Sequence, residues 1–196
     1  MKYLALVLIA SCMVSTASNA ATSPRDIGIF ADAAGTTVEI TGVAFTPFFF
    51  YVVGFDRDGQ VKGWELSVSL DPSAVVLARV LDQESSLNVG NLDNFIVGSG
   101  GCFPGAGAYV FVTYNVGYFI PVTPQDVPVC IGAATPSTFQ PAVPGYLQCD
   151  GSLVAFVLAQ NPCLPYPAGC AMINSTNRGS VVPTETSSFG SVKAKF

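Results

Sequence analysis

Gly63, Trp64, Glu65, Leu66, Ser67, Val68, Ser69, Leu70: in this stretch Trp64, Leu66, Val68 and Leu70 alternate with Glu65, Ser67 and Ser69. Side chains on a strand point to opposite faces in turn, so a period of two over eight residues predicts a β-strand with one buried and one wet face. Trp64 is in phase with Leu66, Val68 and Leu70, which assigns all four to the core. The preceding apolar run, residues 45–55, is a second strand candidate. It is separated from the first by Asp56, Arg57, Asp58 and Gly59, and the Asp-Gly step is a turn signal. The two runs are therefore expected to pair as an antiparallel hairpin.

Working outward, further strand candidates are residues 26–30, 37–41, 75–81, 94–97, 108–114, 127–131, 153–158 and 171–174. Clusters of Gly, Pro and Ser separate them, at 98–101, 104–107, 121–124, 136–145 and 162–169. No sustained helical period occurs before the tail. Many short strands punctuated by turns, some apolar on both faces (Tyr109, Val110, Phe111, Val112), predict two antiparallel sheets packed face to face. The expected class is all-β, a two-sheet antiparallel β-sandwich, with a short C-terminal tail that could be helical.

The chain ends divide as follows. Residues 1–20 carry one Lys, a short apolar core and a small residue at Ala20, the pattern of a secretory signal peptide. Ile9, Ala10, Ser11 and Cys12 also read as a lipobox, with lipid attached at Cys12 as the alternative processing route. Both routes export the protein, to a secreted, periplasmic or cell-surface location. Residues 21–174 form the sandwich domain, a length that suits one core. Residues 175–196 read as a Ser/Thr-rich linker and tail, in which Val192 and Phe196 stand one helical turn apart.

Composition narrows the partners. Half of the residues are hydrophobic, only 11% are charged, and the net charge is −5. An acidic chain without a basic cluster is repelled by phosphate backbones, so nucleic acid is not an expected partner. Once the signal is removed no membrane span is expected.

Five cysteines follow the signal: Cys102, Cys130, Cys149, Cys163 and Cys170. In an exported chain an odd count predicts two disulfides with one thiol left unpaired. The preferred pairing is Cys130 with Cys149, plus Cys102 or Cys163 with Cys170. Neither Cys-x-x-Cys spacing nor histidine is present, so no zinc site and no cofactor is expected. Without histidine the Ser-His-Asp and Cys-His machineries are also absent. The acids Asp71, Asp82, Glu84, Asp93, Asp126 and Asp150 stand singly beside turns, and nothing pairs two of them for glycoside hydrolysis. No catalytic residue is assigned. Asp56 and Asp58 resemble the start of a calcium loop but lack the downstream acidic ligand, so a hairpin turn is their expected role and Ca²⁺ a weak alternative. Asn174, Ser175 and Thr176 form an N-glycosylation sequon.

The tract 63–80, with Trp64, Glu65, Leu66, Ser67, Val68, Ser69 and Leu70, then Asp71, Pro72 and Ser73, then Val75, Val76 and Leu77, resembles a passage in known sandwiches. It is similar to the strand, Asp-Pro-Ser turn and strand of cohesin-like and related carbohydrate-binding extracellular domains. That resemblance implies a cohesin-like or jelly-roll-like sandwich and extracellular attachment.

The expected function is that of an exported, non-enzymatic module mediating attachment or assembly, with a protein or glycan as partner. A carbohydrate-binding module is one alternative; it needs exposed aromatics, for which Tyr109, Tyr114, Tyr118 and Phe119 are the candidates because their strand leads into a Pro-rich loop. A small outer-membrane β-barrel is another, permitted by size and alternating strands.

Overall fold

The computed structural model describes residues 26–55, 61–81, 86–103, 107–159 and 167–176. Its twelve strands lie in two sheets, and no helix occurs among the described residues. The first sheet has the order β11 (Val157–Leu158), β1 (Asp26–Phe30), β2 (Phe48–Phe55), β7 (Ala108–Gly117), β4 (Val75–Leu81). Only the β11–β1 pair is parallel. The second follows β10 (Leu153–Ala155), β9 (Gly145–Gln148), β3 (Val61–Leu70), β6 (Asn94–Phe103), β5 (Ser86–Asn88). To it β8 (Val127–Gly132) adds on β3, and β12 (Cys170–Ile173) on β8.

The deciding stretch becomes the central strand of the second sheet. Along one edge β3 pairs with β6; along the other it pairs first with β9, over Val61 to Glu65, and then with β8, over Ser67 to Leu70. Trp64, Leu66 and Val68 are buried and Leu70 is half-buried. Strands β2 and β3 do not form the expected hairpin, because β2 pairs with β1 and β7 in the first sheet. Each strand buries one face in the same interior, Phe50 and Val52 from one and Trp64 and Leu66 from the other. Facing strands of a sandwich cannot also share a ladder, so the Asp-Gly step belongs to a connection between sheets. Residues 56–60, with Asp56 and Asp58, lie outside the described residues.

The interior is aromatic. Trp64 packs edge-on to Phe111 of the facing sheet at 5.1 Å between ring centroids, Phe50 stacks on Tyr114 at 4.6 Å, and Phe95 meets Tyr114 at 6.3 Å. Phe156 stands where the predicted strand 153–158 breaks in two: β10 belongs to one sheet, β11 to the other, and Phe156 fills the gap between Phe111 and Tyr146. A filled interior between two sheets is not a barrel, which removes the outer-membrane reading. The core side chains of β3 point into protein rather than outward.

The Asp-Pro-Ser turn carries the chain from β3 in the second sheet to β4 in the first. Asp71 accepts the Ser73 amide at 2.9 Å, while its carbonyl accepts the Ala74 amide at 3.0 Å. The amide hydrogen from Ser73 holds the Asp71 carboxyl below the usual carboxylate range.

Two disulfides brace the second sheet, with partners that differ from those expected. Cys130 joins Cys170, its direct register partner between β8 and β12. Cys102 joins Cys149, spanning the end of β3 from β6 to β9. The expected Cys130–Cys149 bridge is excluded by the ladders. Cys130 lies opposite Ser69 and Gln148 opposite Val61, which separates the two cysteines by about 26 Å along β3 at roughly 3.3 Å per residue. Cys163 lies outside the described residues.

The sheets are also tied by polar contacts. Arg79 on β4 donates to Asp93 through Nε and a terminal nitrogen, at 2.6 and 2.7 Å, and the Tyr114 hydroxyl donates to the same carboxylate at 2.9 Å. Burial, reinforced by the Asp93 charge, pushes the Tyr114 hydroxyl's ionisation upward, so it stays a donor. Asp93→Ala leaves a buried hydroxyl and a guanidinium without their acceptor. It should lower stability by about 2 kcal/mol, read as an earlier midpoint in urea at an unchanged slope.

Candidate functional site

The outer face of the second sheet carries the candidate site, an open groove of about 800 Å³. It is built by one register row that crosses five strands. Leu87 on β5 pairs with Gly98 on β6, Gly98 with Gly63 on β3, Gly63 with Leu147 on β9, and Leu147 with Leu153 on β10. Directly paired residues share a face. The row therefore reads Leu, Gly, Gly, Leu, Leu, with apolar walls on either side of a floor stripped to backbone. At Gly63 a Cβ would stand 2.8 Å from the Val97 carbonyl oxygen, so only glycine allows β3 and β6 this approach. At Gly98 a Cβ would meet nothing within 4 Å, so the floor there is open space.

The next row sets the groove's far wall. Glu65 on β3 lies between Ile96 and Gly145 in register. It is 4% exposed although it occupies the face expected to be wet. The cause is the connection between β8 and β9, which folds over that face. Ser137 donates its hydroxyl to Glu65 at 2.6 Å, and Thr138 donates its amide at 2.9 Å and its hydroxyl at 2.7 Å. No cation meets this carboxylate among the described residues; charge-assisted hydrogen bonds offset its loss of water. Asn94 and Thr135 add a reciprocal pair, amide to carbonyl in both directions, at 2.7 and 2.8 Å. So fastened, the segment lays the Phe139 ring over Gly145, in space that a Cβ would need.

The aromatics assigned to a contact surface are dispersed by the structure. Tyr114 and Tyr118 are buried, which corrects the expectation that they are exposed. The β7 strand runs on to Gly117, which keeps Tyr114 inside the ladder, and Tyr118 just beyond it bridges to Ala44 with its ring against Phe48. Burial, with the nearby Asp71 charge, pushes the Tyr118 hydroxyl up to about 12. Tyr109 is half-buried against Phe103 and Phe111. Phe119 alone of the four is exposed. A sugar-stacking row of tyrosines is thus absent among the described residues.

The sequon proves to be a structural lock. Asn174 is buried at a positive φ of 56°, accepts the Gly42 amide at 2.9 Å and donates to the carbonyls of Gly42 and Pro124 at 2.8 and 2.9 Å. Its amide nitrogen is committed to the fold. Thr176 donates both its amide and its hydroxyl to Asp126, and these bonds hold the Asp126 carboxyl below the usual range. That lowered value contributes stability above about pH 4, the unfolded carboxyl's range, and the contribution is lost as pH falls through the folded value. Thr176→Val should return the Asp126 carboxyl toward about 3.9, followed by NMR titration of its carboxyl carbon.

Among the described residues no group of three or more His, Cys, Asp or Glu could hold a metal ion, and no helix is long and apolar enough to cross a membrane.

No family model matches the sequence, and no curated protein matches it. Solved structures do. The sixth cohesin of scaffoldin B from Acetivibrio cellulolyticus, solved in complex with a dockerin, superimposes with a TM-score of 0.53 at 9% identity, covering 78% of this chain and 99% of that one. A type I cohesin from Clostridium thermocellum, also in complex with a dockerin, gives 0.50 at 11% identity, again over 78% and 99%. The fold is cohesin-like. At this identity the likeness lies in the backbone, and the groove residues are this chain's own.

Sequence reasoning did not find the groove. Gly63 and Gly98 were visible, but 98–101 reads as a turn, whereas β6 runs straight through it. Nothing in the sequence marks Glu65 as buried, because the segment that covers it lies about seventy residues away.

Glu65→Ala should free the Ser137 and Thr138 donors and loosen the wall. Amide exchange at Thr138 and Phe139 should quicken by roughly thirtyfold, the loss of about 2 kcal/mol locally, while amides of β2 and β7 keep their protection.

Proposed function

We propose that this chain is an exported, non-enzymatic module of cohesin-like fold that holds a protein partner in the groove on the outer face of its second sheet. The observation that carries the reading is the Leu87, Gly98, Gly63, Leu147, Leu153 row: an apolar trough with a backbone floor, left open to solvent. An exposed concave apolar surface marks an interaction site. A partner's apolar ridge fits it, since ridges of side chains fill grooves without needing polar groups opposite them. The cohesins of similar fold are solved with dockerins, which supports a protein partner. The export pattern of residues 1–20, by either processing route, supports an extracellular setting.

The test uses a substitution that fills the floor. Because a Cβ at Gly98 meets nothing, Gly98→Leu should fold with an unchanged or slightly higher midpoint, as glycine in a strand costs about 0.5–1 kcal/mol. The full chain and this variant are used side by side as baits on culture supernatant. A protein retained by the first and lost by the second is purified and titrated against both. Binding should weaken by roughly a hundredfold, as for a central contact worth about 3 kcal/mol. Equal affinity for both chains, or turnover of ester, glycoside or peptide substrates by the purified chain, overturns the proposal.

A further inference from the structure

A second apolar surface lies away from the groove, on the outer face of the first sheet and the end beside it. It is organised around Gly117, the last residue of β7. The Phe119 ring lies 3.3 Å from where a Gly117 Cβ would be, Leu77 lies 3.6 Å from that point, and Val75 is the register partner of Gly117. Phe49 pairs with Asn115, two residues back on β7, and so shares this face. All four of these apolar side chains are between 43% and 54% exposed.

The surface continues onto a tight turn at residues 43–46, closed by the Thr46 amide on the Val43 carbonyl at 3.1 Å. Phe45 sits in it at a φ of 60°, a conformation that suits glycine, and its ring is 63% exposed. A bulky residue held there without burying its side chain is a local cost that the fold alone does not require. The turn is fixed to the neighbouring loop. Phe45 donates its amide to the Tyr118 carbonyl at 2.7 Å, and Ala44 donates its amide to the Thr123 hydroxyl at 3.1 Å. Val43 and Val122 are exposed at the same junction. The apolar tips are thus presented from a braced platform.

We infer that this surface is where a second copy of the chain docks, giving a two-fold dimer that leaves both grooves free. Two observations select a second copy as occupant. Residues 43–49 and 117–124 contain no Asp, Glu, Lys or Arg, so two molecules of net charge −5 meet there without bringing carboxylates together. Three half-exposed phenylalanine rings of about 200 Å² each, with the aliphatic side chains beside them, offer on the order of 700 Å², close to the roughly 800 Å² per partner of a stable interface. A contiguous apolar patch of this size is larger than most monomers leave uncovered.

The test is the molecular mass of the full chain by light scattering and sedimentation equilibrium across micromolar to millimolar concentration. A reversible dimer is expected. Phe45→Gly removes the ring and relieves the backbone at once, so it should weaken dimerisation by at least about tenfold while leaving the dilute-solution melting midpoint equal or higher. Phe119→Ser should weaken the dimer as well, and Gly98→Leu in the opposite sheet should leave it unchanged. A monomer at every concentration overturns the inference, whether solvent or the chain's own 177–196 segment covers the patch. So does a dimer that both Phe variants leave intact, or co-sedimentation with neutral phosphatidylcholine vesicles in place of self-association. Neither the dimer nor its loss touches the groove, so each surface stands or falls separately.

Discussion

Everything in this fold refers to β3, a strand whose two faces serve opposite purposes. Its inward face, Trp64, Leu66 and Val68, is the second sheet's share of a dry aromatic interior. Its outward face, Gly63 and Glu65, is the groove floor and the anchor of the groove wall. Pairing on both edges for nearly its full length fixes which residue points where, since a slip of one position would turn Glu65 into the core and Trp64 out of it.

Much of this was written in local alternation. The core side chains of β3, the existence of most strands and the two-sheet class follow from period-two patterning and turn residues, because those signals are set by neighbours along the chain. What failed was whatever depended on partners far away. The Asp-Gly step marks a turn but is silent on whether the next strand returns to the same sheet, and β2 and β3 ended on opposite sides of the core. The cysteines could not be paired without the ladders, since Cys130 and Cys149 look like neighbours until β3 is seen to hold them at opposite ends. Gly98, Ser99, Gly100 and Gly101 read as a turn because three of the four lack side chains to alternate. In the sheet they supply bare backbone, which is their use.

The aromatic residues show the same division between local and distant causes. Tyr114 and Tyr118 carry hydroxyls that argue for the surface, yet both are buried, and the Tyr114 hydroxyl goes to Asp93 from the other sheet. Phe45, Phe49 and Phe119 have no polar atom and stand in solvent. For Tyr114 that hydrogen bond offsets the burial, whereas the buried Tyr118 hydroxyl has no hydrogen-bond partner among the described residues, so the polarity of a ring is a poor guide to its exposure. The informative departures are the reverse kind: a buried carboxylate at Glu65 and exposed phenylalanines at one end, each a local cost that points beyond the stability of the sandwich.

The distribution of covalent bracing follows the distribution of tasks. Both disulfides lie in the second sheet, one tying its outermost strand β12 to β8 and the other tying the strands on either side of β3. Each closes a loop of 40 or more residues, which restricts the unfolded chain by an amount worth about 4 kcal/mol in the loop-entropy account. Among the described residues the first sheet has no disulfide; it is held by apolar packing and joined to the second sheet by the Arg79–Asp93 pair. A groove with a backbone floor has few side chains of its own to keep its shape, so its rigidity has to come from the frame. The Cys102–Cys149 bridge supplies that across the end of β3, and the Glu65 latch supplies it along the wall. A surface fixed in advance loses less entropy on binding, so bracing in this sheet is what the proposed docking groove calls for.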